Sequence, residues 1–352
     1  MKNPFERLVV IFLNPRTGRK KPVYFQPFDH EAADRLIVTF KFIFIRTLPL
    51  VAFVIGFCEP LHATQLAVTK KKPVMSELIA ASQASDWRTL DPQNVLYLEL
   101  KSGRVLIELA PDFAPNHVAN VKALSREKYW DGLAIVRVQD DYVVQWADPN
   151  SEKPDLKRKL KEAKATLPAE FERNFDSKIS FQVLNDKDTF APEVGFSNGF
   201  AVARDRKNKK MWLIHCYGTV GAGRDNSADS GGGTELYAVI GHAPRQLDRN
   251  VTLLGRVIQG MEFLSSLPRG HGKLGFYEKP EQNVAIQSVR LASDVPEKER
   301  TNLEILRTDT PLFAQLIESR RNRVEDWFHY QADHIDVCNV PVPVRTAKEN
   351  SK

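Results

Sequence analysis

The stretch that most constrains this chain is residues 133–148, L-A-I-V-R-V-Q-D-D-Y-V-V-Q-W-A-D. Two short apolar runs, 134–138 and 142–147, flank a polar turn at 139–141, and both have the length and β-branched content of strands. Each carries one conspicuous polar residue, Arg137 in the first and Gln145 in the second. Regular alternation puts Arg137 on one face with Ile135, and Val136 with Val138 on the other. An arginine in an apolar strand commonly projects from a solvated face. The remainder of the chain supplies a sharper reading.

The 352 residues are 42% hydrophobic, enough for a sizeable core in one large domain or two ordinary ones. The net charge of +6 is unevenly spread. Residues 1–63 hold nine Lys/Arg and five Asp/Glu, which leaves 41 and 39 for the remaining chain. A nearly balanced body lacks the clustered basic face that nucleic acid requires, so no nucleic-acid partner is expected.

Residues 1–34 are polar and patternless. Residues 36–57 are apolar but contain Lys41 and Arg46, so the uncharged run is only 47–57. That is short for a membrane span of roughly twenty residues. Basic residues, a short apolar run and then small residues predict a secretory signal over 36–63, with cleavage after Ala63. Residues 1–35 are then not part of the product. The alternative is an uncleaved membrane anchor through 36–57. The mature chain is expected outside the cytoplasm, in the periplasm or otherwise exported, as a monomer without stable membrane association.

After a linker and short helix at 64–94, the pattern turns to β. Residues 95–100 and 104–109 alternate around Gly103 as a hairpin. Pro115 opens a helix to about Ser125, with Val118, Val121 and Leu124 on one stripe. Strands are expected at 181–184, 199–203, 234–240, 251–258 and 284–291, with a short helix near 261–267. Residues 204–233, rich in glycine, read as a long surface loop. Beyond 292 a helical extension opens at Thr310-Pro311 and carries Leu312, Phe313, Leu316, Ile317, Val324, Trp327 and Phe328 at helical spacing. His215, Cys216 and His242 lack metal-ligand spacing, and no metal is expected.

This order of elements, together with Arg137 through Asp148 and the run L-D-R-N-V-T-L-L-G-R-V-I-Q-G-M at 247–261, resembles the cyclophilin family of peptidyl-prolyl cis–trans isomerases. The similarity covers about 95–291. The family's F-H-R-I-I-P-x-F-x-x-Q-G-G-D aligns without a gap. Arg137 falls on its catalytic arginine, Tyr142 and Val143 on a pocket phenylalanine and methionine, and Gln145 on its glutamine. Ala203 matches an alanine of the groove wall, with Arg204 on the asparagine beside it. Tyr237 takes a second pocket phenylalanine within T-E-L-Y, where the family motif is usually S-Q-F-F, and Leu247 matches a pocket leucine. Trp146-Ala147 replaces the glycine pair, Gln246 a tryptophan and Val251 a histidine.

The resemblance implies a mainly β fold with capping α-helices: a closed antiparallel barrel over 95–292, with a C-terminal helical extension over 293–352. It also implies isomerisation of X-Pro bonds in proline-containing polypeptides. Rotation about such a bond opposes a resonance barrier of about 18–20 kcal/mol, and easing it calls for no nucleophile, metal or cofactor. A fixed guanidinium can stabilise the twisted amide, while an apolar pocket holds the ring. The rival reading is an inactive barrel that only binds peptides or a partner. Finally, Cys58 leaves with the signal, so Cys216 and Cys338 form an even pair. In an exported protein such a pair favours a disulfide, the alternative being two separate buried thiols.

Overall fold

The computed structural model describes residues 72–347 in full and the backbone of two segments near the N-terminus. Those segments, Val9–Leu13 and Lys20–Tyr24, form an antiparallel hairpin within a unit of their own, so the N-terminal stretch is not patternless. The expected signal segment, 36–63, lies outside the described residues.

The second unit is built on a closed barrel of eight antiparallel strands. Around the wall they run Thr219–Ala222, Leu236–Val239, Val143–Ala147, Ala134–Val138, Val284–Leu291, Val95–Leu100, Gly103–Leu109 and Leu253–Gln259, which returns to the first. Closure leaves no open edge within this wall. The Val95–Leu100 hairpin shows how the sequence dictates it. Leu96, Leu98, Leu100, Val105, Ile107 and Leu109 alternate along the two strands, and all of them join the barrel core. Gly103 turns the corner at φ +148°, with the Phe263 ring where a side chain would stand.

The helix Pro115–Arg126 begins with proline at its first position and sends Val118, Val121 and Leu124 into the same core. Its free N-terminal amides are met from a distance, because Glu170 accepts from the backbone N–H of Asn116 at 3.0 Å and of His117 at 2.9 Å. A short helix, Met261–Ser265, adds Leu264 to the core.

Residues 173–213 form a second sheet, and the loop expected over 204–233 is interrupted by strands at Lys210–Leu213 and Thr219–Ala222. The order is Arg173–Asn174, Lys210–Leu213, Phe200–Asp205, Glu193–Ser197 and Gln182–Leu184. Period-2 alternation divides its faces. Phe200, Val202, Met211 and Leu213 pack on Val143, Tyr237, Val239 and Leu253 of the barrel wall. Val194, Phe196, Ala203 and Trp212 turn the other way, onto Leu78, Trp87, Phe313, Leu316 and Ile317. The barrel wall therefore has a packed sheet behind it, held in turn by the helix Pro311–Arg321.

The additions at either end are also less helical than expected. Trp87–Thr89, inside the predicted linker, pairs with Leu303–Leu306, which pairs with Val344–Thr346 in a three-stranded sheet. Thr310 caps the last helix by accepting from the Phe313 amide, but the helix stops at Arg321. Trp327, expected on its apolar stripe, is 79% exposed. A disulfide joins Cys216 to Cys338 with Cα atoms 5.0 Å apart, tying the C-terminal extension to the segment that re-enters the barrel.

Candidate functional site

The strands Ala134–Val138 and Val143–Ala147 do pair, but not in unbroken register. Ile135 faces Trp146 and Arg137 faces Gln145, so Val136 is an extra residue in a β-bulge. The bulge overturns the simple alternation. Ile135 and Val138 both enter the barrel core, while Val136 and Arg137 both line a groove outside it. A one-residue slip of this kind re-aims a side chain that a regular strand would have sent elsewhere.

That groove, of about 1010 Å³, brings together Arg137, Tyr142, Val143, Gln145, Tyr237 and Leu247, six of the seven residues expected there. Ala203 is not among them. It is fully buried on the far face of the inserted sheet, and Arg204 beside it pairs with Glu193 and lies over the Phe181 ring. The groove wall at this place is Ala222, Gly223 and Arg224. Two stretches, A-V-A-R at 201–204 and V-G-A-G-R at 220–224, both read as a strand ending in arginine. The inserted sheet consumes the first, and only pairing to the barrel identifies the second.

Arg137 is held on three sides. Its Nε donates to the Leu274 carbonyl at 2.7 Å, Nη1 to Gln145 Oε1 at 3.0 Å, and Nη2 to Gln139 Oε1. Tyr142 and Phe276 flank the guanidinium at 5.7 and 5.5 Å from their ring centres. Burial lowers its pKa, against the opposing pull of Tyr142 and Glu235, yet an arginine remains charged. Of its five N–H groups, three are used within the protein and one on each terminal nitrogen is left.

Sequence reasoning missed Gln139, which fell in the predicted turn, and the loop carrying Leu274 and Phe276. That loop follows the barrel helix without any recognisable motif and bridges back onto the strand through Arg137 and Phe276. Leu274 takes a left-handed backbone, φ +58°, and its side chain is 59% exposed beside the groove.

A polar network stands behind Tyr237, one of the groove residues. Tyr237 is buried, and its hydroxyl lies 2.9 Å from His215 Nε2; His215 Nδ1 lies 2.8 Å from Asp248. Asp248 accepts from Arg245, which makes a two-pronged pair with Asp188 at 2.8 and 3.0 Å. Burial pushes the Tyr237 phenol up, so it stays neutral. His215, set aside as a metal ligand on sequence grounds, anchors a pocket wall. Among the described residues no cluster of three or more His, Cys, Asp or Glu side chains is arranged to hold a metal ion.

The model of the cyclophilin type peptidyl-prolyl cis-trans isomerase family matches residues 95–291. A probable peptidyl-prolyl cis-trans isomerase of Brucella suis is 27% identical over 180 residues, covering 51% of this chain and 74% of its own. A putative one from Staphylococcus saprophyticus is 24% identical over 200 residues, covering 56% and 90%. The crystal structure of cyclophilin AquaCyp293 from Hirschia baltica superposes with a TM-score of 0.61 at 27% identity, covering 79% of this chain and 99% of that one. It therefore spans more of the chain than the barrel alone. The barrel, the bulged strand with its arginine and the family match agree: this chain belongs to the cyclophilin-type peptidyl-prolyl cis-trans isomerases.

Proposed function

We propose that the chain accelerates X-Pro isomerisation in exported polypeptides, and that Arg137 does so by stabilising the twisted amide. The observation that carries this reading is a charged fork, fixed by three hydrogen bonds, in a groove that it shares with Tyr142, Val143, Tyr237 and Leu247. Tyr142, Val143, Tyr237 and Leu247 offer walls for the proline ring. The two remaining N–H groups of Arg137 point their charge at the peptide where resonance is lost. As the amide twists, its nitrogen becomes a pyramidal acceptor, so these donors bind the transition state more tightly than either planar isomer. No bond is made or broken and no proton changes hands.

The Cys216–Cys338 disulfide supports export, because such bridges persist in oxidising compartments and are rare in the cytosol. The signal segment at 36–63 supplies the address, and the mature protein acts as a monomer beginning near Thr64. Intact mass of the exported protein tests this, and a species retaining residues 36–57 would favour an anchor instead.

Nuclear magnetic resonance exchange on a short proline peptide tests activity itself. The expected result is exchange between cis and trans signals that grows with protein concentration. Peptide binding with no such exchange would instead select an inactive barrel that only binds peptides or a partner, the reading motivated by the altered groove edge.

A further inference from the structure

The Arg137–Gln145 pair has a third member. Gln145 Nε2 donates to Glu235 Oε2 at 2.8 Å, while Gln145 Oε1 accepts from Arg137 at 3.0 Å. The two ends of an amide are not equivalent, since one donates and the other accepts. An ionised carboxylate only accepts, so it draws the NH2 end of Gln145 and leaves the oxygen for the guanidinium. Turned around, the amide would set N–H against N–H and oxygen against carboxylate.

The surroundings are shaped for this contact. A Cβ on Gly223 would stand 3.3 Å from Glu235 Oε2 and 3.5 Å from Gln145 Nε2, so glycine keeps the space open. The Gly223 amide also donates to the Glu235 carbonyl at 2.9 Å, which pins the two strand ends together. Glutamine is usual here in the family; this chain has a group that titrates.

We infer that Glu235 is a positioning residue for Arg137, acting through Gln145, and that turnover requires it ionised. The inference rests on the reading of Arg137 as the group that meets the substrate. Burial raises the Glu235 pKa against the Gln145 hydrogen bond, and the Asp225 and Glu152 carboxylates push it the same way. Lys157 and Arg137 are the cations that oppose this, and the Tyr129 phenol is the other titratable neighbour. Protonation therefore begins at a higher pH than for an ordinary carboxylate. The new O–H is a donor suited to Gln145 Oε1, the atom that Arg137 uses.

The experiment measures kcat and KM for a proline peptide by resonance exchange across the acid range, on the full chain, E235Q and E235L. Wild-type kcat should fall with a midpoint above the ordinary Glu value of about 4.3, while KM, set by Tyr142, Val143, Tyr237 and Leu247, moves little. E235Q should lack that limb. E235L should lose up to about 100-fold in kcat at neutral pH, the scale of a misplaced catalytic group. The Gln145 side-chain amide resonances should titrate with the same midpoint in wild type and stay still in E235Q. Matching pH profiles for wild type and E235Q would overturn the inference, as would a Gln145 signal blind to Glu235. An inactive wild type would instead overturn the arginine reading, with the Gln145 titration still deciding the coupling.

Discussion

Replacing Arg137 separates catalysis from folding. The side chain gives three hydrogen bonds, to Leu274, Gln145 and Gln139, and leaves two N–H groups that, on the proposed mechanism, meet the substrate. Arg137→Ala removes those two donors from a site where they are already oriented. Losing one preorganised donor of this kind costs about 10²–10³ in kcat, or about 2.7–4 kcal/mol. The folding cost is smaller, roughly 1 kcal/mol, because the Leu274 segment is open and water can take over its carbonyl. Arg137→Lys is the stricter test. A single ammonium cannot satisfy three acceptors in one plane and still face the groove, so the loss should be nearly as large. Exchange kinetics on a proline peptide give the rate, and urea unfolding of the same samples gives the stability. Wild-type turnover in both variants, with folding intact, would refute the assignment of Arg137 and with it the mechanism.

Four further outcomes follow from particular contacts. Glu108 is buried between Arg88 at 2.6 Å and Arg256 at 3.2 Å, so Glu108→Ala strands two cations and should cost about 3–5 kcal/mol in urea unfolding. Tyr237→Phe keeps the ring but leaves His215 Nε2 without its partner, and should lower unfolding stability by about 1–3 kcal/mol; an unchanged midpoint would place the hydroxyl outside the network. Thiol counting on denatured, unreduced mature protein should find none free, and reduction should destabilise by up to about 4–5 kcal/mol for a bridge of this span. Burial works to raise Glu170, but hydrogen bonds from His117 and from the Asn116 and His117 amides outweigh it and hold its pKa below the ordinary carboxylate value. Its contribution is therefore present above the unfolded-state pKa and lost as pH falls through the lower folded one; Glu170→Gln should flatten that acid slope in unfolding experiments.

Alternation, β-branched runs and a proline at a helix start are local signals, and they are enough to read individual strands and helices from the chain, while the closed barrel is what the resemblance carried by their order implies. The hairpin around Gly103, the helix from Pro115 and the strand pair around Arg137 all follow from residues within a few positions of one another. So did the spacing of Arg137, Tyr142 and Gln145, because Arg137 and Gln145 sit on adjacent strands and Tyr142 in the short turn that joins them. What local pattern could not carry was partnership between distant segments. The strand 200–205 reads like a barrel strand, yet it pairs with 193–197 and 210–213, and that pairing removed Ala203 from the groove and put Gly223 there. The bulge at Val136 exists only because Ile135 and Arg137 meet consecutive residues of the opposite strand. Leu274 reaches Arg137 across 137 positions and Glu235 reaches Gln145 across 90, with nothing in either neighbourhood to announce it. Backbone propensity is written residue by residue, but which carbonyl or carboxylate meets a given guanidinium is settled by long-range closure of the chain, and only the folded barrel brings those atoms together.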